Sequence, residues 1–202
     1  MQYQSFRTII KQPQTIIALG VTIISACALV VSIFQTRIMV EQRILMHEQA
    51  KASVWPRVSL MRGKSHSEVD YSLTDYHLVL ANDGVGPAII KGVRITYDDQ
   101  PVEHWWEMFK LFPMDDSVEL YISNASINNT IVKIGEERQV LGLKHNLPLA
   151  QVYFRESDKI RIEIIYESIY GDRWQLIYAE EDSETIEVDK EANFPPEEQF
   201  NY

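Results

Sequence analysis

The chain has 202 residues, 46% hydrophobic and 24% charged, a composition that fits one globular domain plus an additional segment and argues against two full-sized domains. Nineteen basic against 29 acidic side chains give a formal charge of −10, which repels phosphate backbones, so no nucleic-acid partner is expected. The single cysteine, Cys27, closes no internal disulfide and builds no multi-thiolate zinc site, which leaves apolar packing to hold the core.

In chain order, residues 1–14 form a flank carrying Arg7 and Lys11. Thr15 to Phe34 follows as TIIALGVTIISACALVVSIF, twenty residues without a charge, and as a helix such a run spans ~30 Å, the depth of a bilayer's hydrocarbon core. A transmembrane helix is expected at 15–34, a single-pass anchor in a lipid bilayer and, given the resemblance described below, in a bacterial inner membrane. Ile24-Ser25-Ala26-Cys27 has the look of the short box before a lipidated cysteine. Against lipidation, Ala28 to Phe34 stays apolar where a lipoprotein turns polar, so Cys27 is read as a thiol inside the membrane helix. Arg7 and Lys11 on one side, with Arg37, Arg43 and Lys51 on the other, lean towards a cytoplasmic C-terminal domain.

Gln35 to Ser53 contains neither Gly nor Pro and is expected to carry the helix onward as a stalk over 35–54, until Pro56 disfavours helical geometry at Trp55. Three columns recur every seven residues: Gln35, Gln42 and Gln49; Ile38, Leu45 and Ala52; Met39, Met46 and Ser53. Ile38, Gln42, Leu45, Gln49 and Ala52 are therefore candidate contacts for self-association in a short coiled coil. The alternative is a lone amphipathic helix on the membrane surface or against its own domain. The series Gln35, Met39, Gln42, Leu45-Met46, Gln49, Ala52-Ser53 and Pro56 resembles that of uncharacterised bacterial single-pass membrane proteins with a Gln/Met-rich stalk helix and a C-terminal immunoglobulin-like β domain. The resemblance implies a bacterial membrane protein and little about activity.

From Trp55 the pattern changes to short alternating runs. Val93, Ile95 and Tyr97, and Ile160, Ile162, Ile164 and Tyr166, give strands with one face to bury, and Gly171-Asp172 turns a hairpin that returns through Trp174, Leu176 and Tyr178. Seven runs, 71–81, 88–97, 118–122, 130–134, 139–143, 160–166 and 174–179, suggest a mainly β chain whose residues 55–180 form an immunoglobulin-like antiparallel β-sandwich. Val102, Trp105, Phe109 and Phe112 recur at helical spacing, so one short inserted helix is expected there. Trp105 and Trp106 are candidate interaction residues as an exposed aromatic platform, with core packing the favoured alternative.

Leu80 to Ala88, loosely N-x-G-x-G-P-A, resembles the strand-turn-strand element of bacterial immunoglobulin-like adhesion and scaffold domains, and Ile134-Gly135-Glu136 resembles the Gly-Glu corner of such folds. Gly84 and Gly86 are read as accepting positive φ there and are further candidate interaction residues. The acidic tail, 181–202, is expected to be mostly solvated and disordered, with Ile186 and Val188 available for an edge strand.

No catalytic motif emerges. Gly63-Lys64-Ser65-His66-Ser67 lacks the second glycine of a nucleophile elbow, and Lys51 stands where a zinc-protease helix would place a second histidine after His47-Glu48. Gly84-Val85-Gly86 precedes no helix, and His66, His77, His104 and His145 are scattered. The acid pairs at 98–99, 115–116, 136–137 and 180–181 read as solvated turns. No enzyme activity, metal or cofactor is expected. Residues 55–202 hold 14 basic and 27 acidic groups, a balance of −13, whereas residues 1–54 hold five and two, or +3. The leading expectation is a noncatalytic membrane-anchored protein that binds an unknown protein or small ligand. The alternatives are a ligand-triggered membrane effector acting through oligomerised transmembrane helices and an extracytoplasmic adhesion or envelope scaffold protein.

Overall fold

Forty residues of unbroken helix, Pro13–Ala52 (α1), open the computed structural model, which describes residues 13–68, 73–114, 121–144, 146–179 and 182–201. The chain divides into two compact units, 1–50 and 51–202. Arg7, Lys11, His145 and the acid pairs at 115–116 and 180–181 lie outside the described residues, as does most of the expected strand at 118–122.

Proline suits the first turn of a helix, where its missing N–H costs nothing, and no further Pro interrupts α1. The helix is about 60 Å long at its usual rise, long and apolar enough to cross a membrane, and none of its residues is buried by protein. The hydroxyls of Thr22, Ser25 and Thr36 each donate to the carbonyl four residues earlier, on Ala18, Val21 and Ser32, at 2.8–2.9 Å. These polar groups are thus satisfied within the helix.

The second unit runs β1 (Val58–His66), β2 (Leu73–Asn82), β3 (Ala88–Tyr97), β4 (Gln100–Val102), α2 (Trp105–Leu111), β5 (Ser123–Asn124), β6 (Ile131–Val132), β7 (Glu137–Gly142), α3 (Leu147–Arg155), β8 (Ile160–Glu167), β9 (Arg173–Ala179) and β10 (Asp182–Val188). Two antiparallel sheets form, β1-β2-β7-β5 and β10-β9-β8-β3-β4, with β6 also pairing with β3. The alternation of apolar residues decides which faces meet: Val58, Leu60, Leu78 and Leu80 of one sheet and Ile90, Val93, Ile95, Ile162 and Ile164 of the other belong to one buried core. Over the described residues helix (about 35%) and strand (about 36%) are balanced, because α1 alone contributes forty residues.

Local signals account for the turns. Asp98 and Asp99 both have positive φ, 51° and 62°, the backbone of a two-residue hairpin turn between β3 and β4 that Asp tolerates. Gly171 at φ 78° turns β8 into β9, with Ile164 opposite Leu176 and Tyr166 opposite Trp174, as the hairpin reading anticipates. The helix α3 was not expected. Asn146 caps it by accepting from the Leu149 N–H at 3.2 Å, Pro148 occupies its first turn, and Leu149, Ala150 and Tyr153 face the core.

The acidic tail departs most from expectation. Among the described residues, 182–188 pair with β9 as an edge strand, exposed throughout up to Glu187, and the segment beyond it is fastened to the domain. Phe194 is buried and Phe200 is 0% exposed. The backbone N–H of Phe200 donates to the Val93 carbonyl at 2.8 Å, and that of Asn201 to the Glu103 carbonyl at 2.6 Å. Val93 lies between the stretches of β3 that pair with β6 and with β4, so Phe200 fills a gap in that edge and sets its ring against Trp105, centroids 5.0 Å apart. Burying two phenyl rings outweighs the solvation preference of their acidic neighbours. Two ion pairs help: Arg94 binds Glu198 and the buried Glu163 (Nε–Oε2 2.6 Å), and its guanidinium lies 4.6 Å from the centre of the Phe194 ring.

Behind α3, Glu156 accepts from Lys159 at 2.7 Å and from the Tyr97 hydroxyl at 3.0 Å. The Lys159 hydrogen bond is the main cause of a Glu156 pKa below the ordinary carboxylate value. A depressed folded-state pKa stabilises the fold above the unfolded value of about 4.3 and loses that contribution as pH falls through the lower folded value. Glu156→Gln should therefore flatten the acid limb of a stability-versus-pH curve below about pH 4.3, read as thermal midpoints of the detergent-solubilised chain. Phe200→Ala should cost about 3–5 kcal/mol in urea unfolding followed by tryptophan fluorescence; a loss under ~1 kcal/mol would mean that the terminal segment is peripheral to the core.

Candidate functional site

The turn from β2 to β3 carries Gly84 and Gly86. Asn82 organises it from a buried position: its amide donates to the carbonyls of Gly86 (2.8 Å) and Val132 (3.0 Å), and its Oδ1 accepts from the backbone N–H groups of Arg57 (3.2 Å) and Gly84 (3.1 Å). The Gly135 N–H donates to the Asn82 carbonyl at 2.9 Å, so the Ile134-Gly135-Glu136 corner joins the same knot. A Cβ on Gly84 would lie 2.3 Å from the Arg57 nitrogen, and one on Gly86 1.8 Å from the Val54 carbonyl oxygen. Positive φ occurs at Gly135 and Gly171 and not at this pair. Close backbone approach is therefore why glycine stands at 84 and 86, which corrects the conformational reading given above. The two residues seat the lead-in segment 54–57 against the turn and are filled by protein.

Other contacts fasten the same segment. The Val85 N–H donates to the Trp55 carbonyl at 2.9 Å, the Trp55 and Trp174 rings stand 6.3 Å apart, and Lys51 pairs with Asp172 of the β8–β9 turn at 3.1 Å.

The tryptophan pair divides. Trp105 begins α2 and turns inward with Phe109, whose ring stacks on it at 6.1 Å, and is 2% exposed. One residue is about 100° of helix rotation, so Trp106 emerges on the outer side, 49% exposed. The two indoles do not form a shared platform. They do line one cleft of about 380 Å³ together with His104, Ile122, Asn124 and Asn201. The His104 Nδ1–H donates to the Asn201 carbonyl at 2.7 Å. The Trp105 indole N–H is buried and has no acceptor among the described residues. A buried donor without a partner is uncommon in a folded protein and calls for an explanation.

A second, charged hollow of about 270 Å³ lies over β3 and β8, lined among others by Arg94, Arg161, Glu163 and Glu198. Four of its charges engage one another: Arg94 pairs with Glu198 and Glu163, and Glu163 also accepts from Gln175 (3.0 Å) and lies 3.4 Å from Arg161. This network was missed in the sequence, where the only trace is a glutamate inside the apolar run Ile160 to Tyr166. Among the described residues no three His, Cys, Asp or Glu side chains are grouped to hold a metal ion, and His77 is engaged by Asp75 at 3.2 Å. The stalk residues Ile38, Gln42, Leu45, Gln49 and Ala52 all lie exposed on α1, Ile38 and Leu45 by 52% and 69%.

No protein-family model matches the chain, and no curated protein matches it. Gly86→Ala should destabilise the second unit by about 1–3 kcal/mol through the clash with Val54, whereas Gly20→Ala, where a Cβ meets nothing within 4 Å, serves as the control; chemical unfolding of both variants measures the difference.

Proposed function

We propose that the chain is a noncatalytic binding protein anchored in a bacterial inner membrane by a single span, with an immunoglobulin-like β-sandwich tethered on the cytoplasmic side by a stalk through which copies associate. The observation that carries this reading is α1 itself: an uncharged twenty-residue run inside a helix that buries nothing against protein. In water so many exposed Ile, Val and Leu side chains would be costly, whereas hydrocarbon accepts them without a penalty. The two antiparallel sheets around one core support the sandwich, and the acidic balance of residues 55–202 disfavours their lying on anionic lipid.

Stalk association draws on Ile38 and Leu45, with Gln42 and Gln49 setting the register and Ala52 closing the seam. Insertion would present neighbouring copies parallel and at one depth, so equivalent residues face each other without a search over orientation. The ligand-facing surface is assigned to the cleft of Trp105 and Trp106, where an aromatic face meets uncommitted polar groups.

Washing membranes with alkaline carbonate should leave the intact chain in the pellet, and protease should cut the domain only after spheroplasts are lysed. Release into the supernatant overturns the anchor, and cleavage in intact spheroplasts moves the domain to the outer side.

A further inference from the structure

We infer that the cleft beside Trp106 binds a neutral carbohydrate; this rests on the binding-protein reading and names its ligand class. Features of the lining and of the residues behind it point there. Trp106 keeps an indole half in water next to a concavity, and an aromatic face of this kind packs against the C–H side of a sugar ring. Trp105 holds a buried N–H without an acceptor, and Asn128 holds a buried Oδ1 without a donor. Both residues touch Phe200, Trp105 through its ring and Asn128 by donating from its amide to the Phe200 carbonyl. Trp105 lines the cleft, and a ligand hydroxyl is a group that can accept from an indole N–H.

The remaining lining repeats that chemistry. Asn124 is exposed, and the Asn201 amide spends one donor on the Gln199 carbonyl at 3.3 Å, which leaves amide groups able to bridge neighbouring hydroxyls. His104 Nε2 adds a further hydrogen-bonding atom. Among the described residues the lining holds no acid, lysine or arginine, and residues 55–202 carry a charge of −13, a setting that disfavours an anionic sugar, a phosphate or a nucleotide. The volume of about 380 Å³ falls in the range of small-ligand sites, about 300–1,000 Å³. A planar heterocycle would also stack on Trp106, but it offers fewer groups that donate and accept together.

The test is calorimetric titration of the full chain in lauryldimethylamine oxide, a detergent without a sugar headgroup. The probes are glucose, galactose, mannose, N-acetylglucosamine and their linear tetramers, with adenosine as the planar comparison. At least one sugar should bind with a Kd on the order of 10⁻⁴–10⁻³ M, insensitive to salt, and Trp106→Ala should weaken it roughly tenfold or more while leaving the thermal midpoint unchanged. Asn124→Ala should weaken the same sugar, and the indole N–H resonance of Trp105 should shift on binding. Silence of every sugar at about ten times the weakest expected Kd, or binding that Trp106→Ala leaves intact, overturns the assignment. Adenosine binding lost in Trp106→Ala without any sugar response replaces the ligand class and keeps the binding-protein reading. Release by carbonate would remove the anchor while leaving a positive sugar titration standing.

Discussion

Removing the Phe200 ring from water requires a space between β4 and β6, and α2 provides one of its walls through Trp105. The ring therefore settles several features together. It completes the open edge of β3 at Val93, draws Glu198 to within reach of Arg94, and brings the Asn201 carbonyl to His104. The cleft that follows is a by-product of this packing, since Trp105 has to lean on Phe200 from inside while its neighbour Trp106 is carried outward by the helical twist. A terminal segment rich in acid thus acts as part of the core, and the candidate binding surface exists because it does so.

Burying Glu163 beneath that segment is expensive unless its oxygens are matched. Arg94 supplies a short charge-assisted bond on one oxygen, and Gln175 and Arg161 approach the other. The network is oriented across β3, β8 and β9 and then extended by Glu198, so it links three strands to the covering segment. Its contribution lies in register and coverage more than in net stability, because ion pairs out of water recover little more than their desolvation.

What could be read in the sequence was governed by local periodicity. The apolar twenty-mer, the Gly171 hairpin and the inward spacing of Trp105, Phe109 and Phe112 are each specified by neighbours within a few residues, and each is found. The helix α3 had a visible signal in Asn146, Pro148 and the spacing of Leu149, Ala150 and Tyr153, but it is short and lies between strands. The tail misled because composition averages over residues, and eight acids concealed the two phenylalanines that decide its fate. Gly84 and Gly86 were noticed as turn residues, yet the reason for them is backbone some thirty residues earlier, which no local pattern can encode. The orphaned indole N–H of Trp105 is likewise invisible before the fold removes its acceptors.

The edge strand β10 has a consequence for contacts between copies. Among the described residues its backbone pairs on one side only, and such an edge invites fusion with the same edge of a neighbouring molecule. Asp182, Glu184 and Glu187 stand along it, all exposed. If copies share a bilayer as proposed, these like charges would repel edge from edge, so that close approach of the domains would not weld their sheets into a fibre.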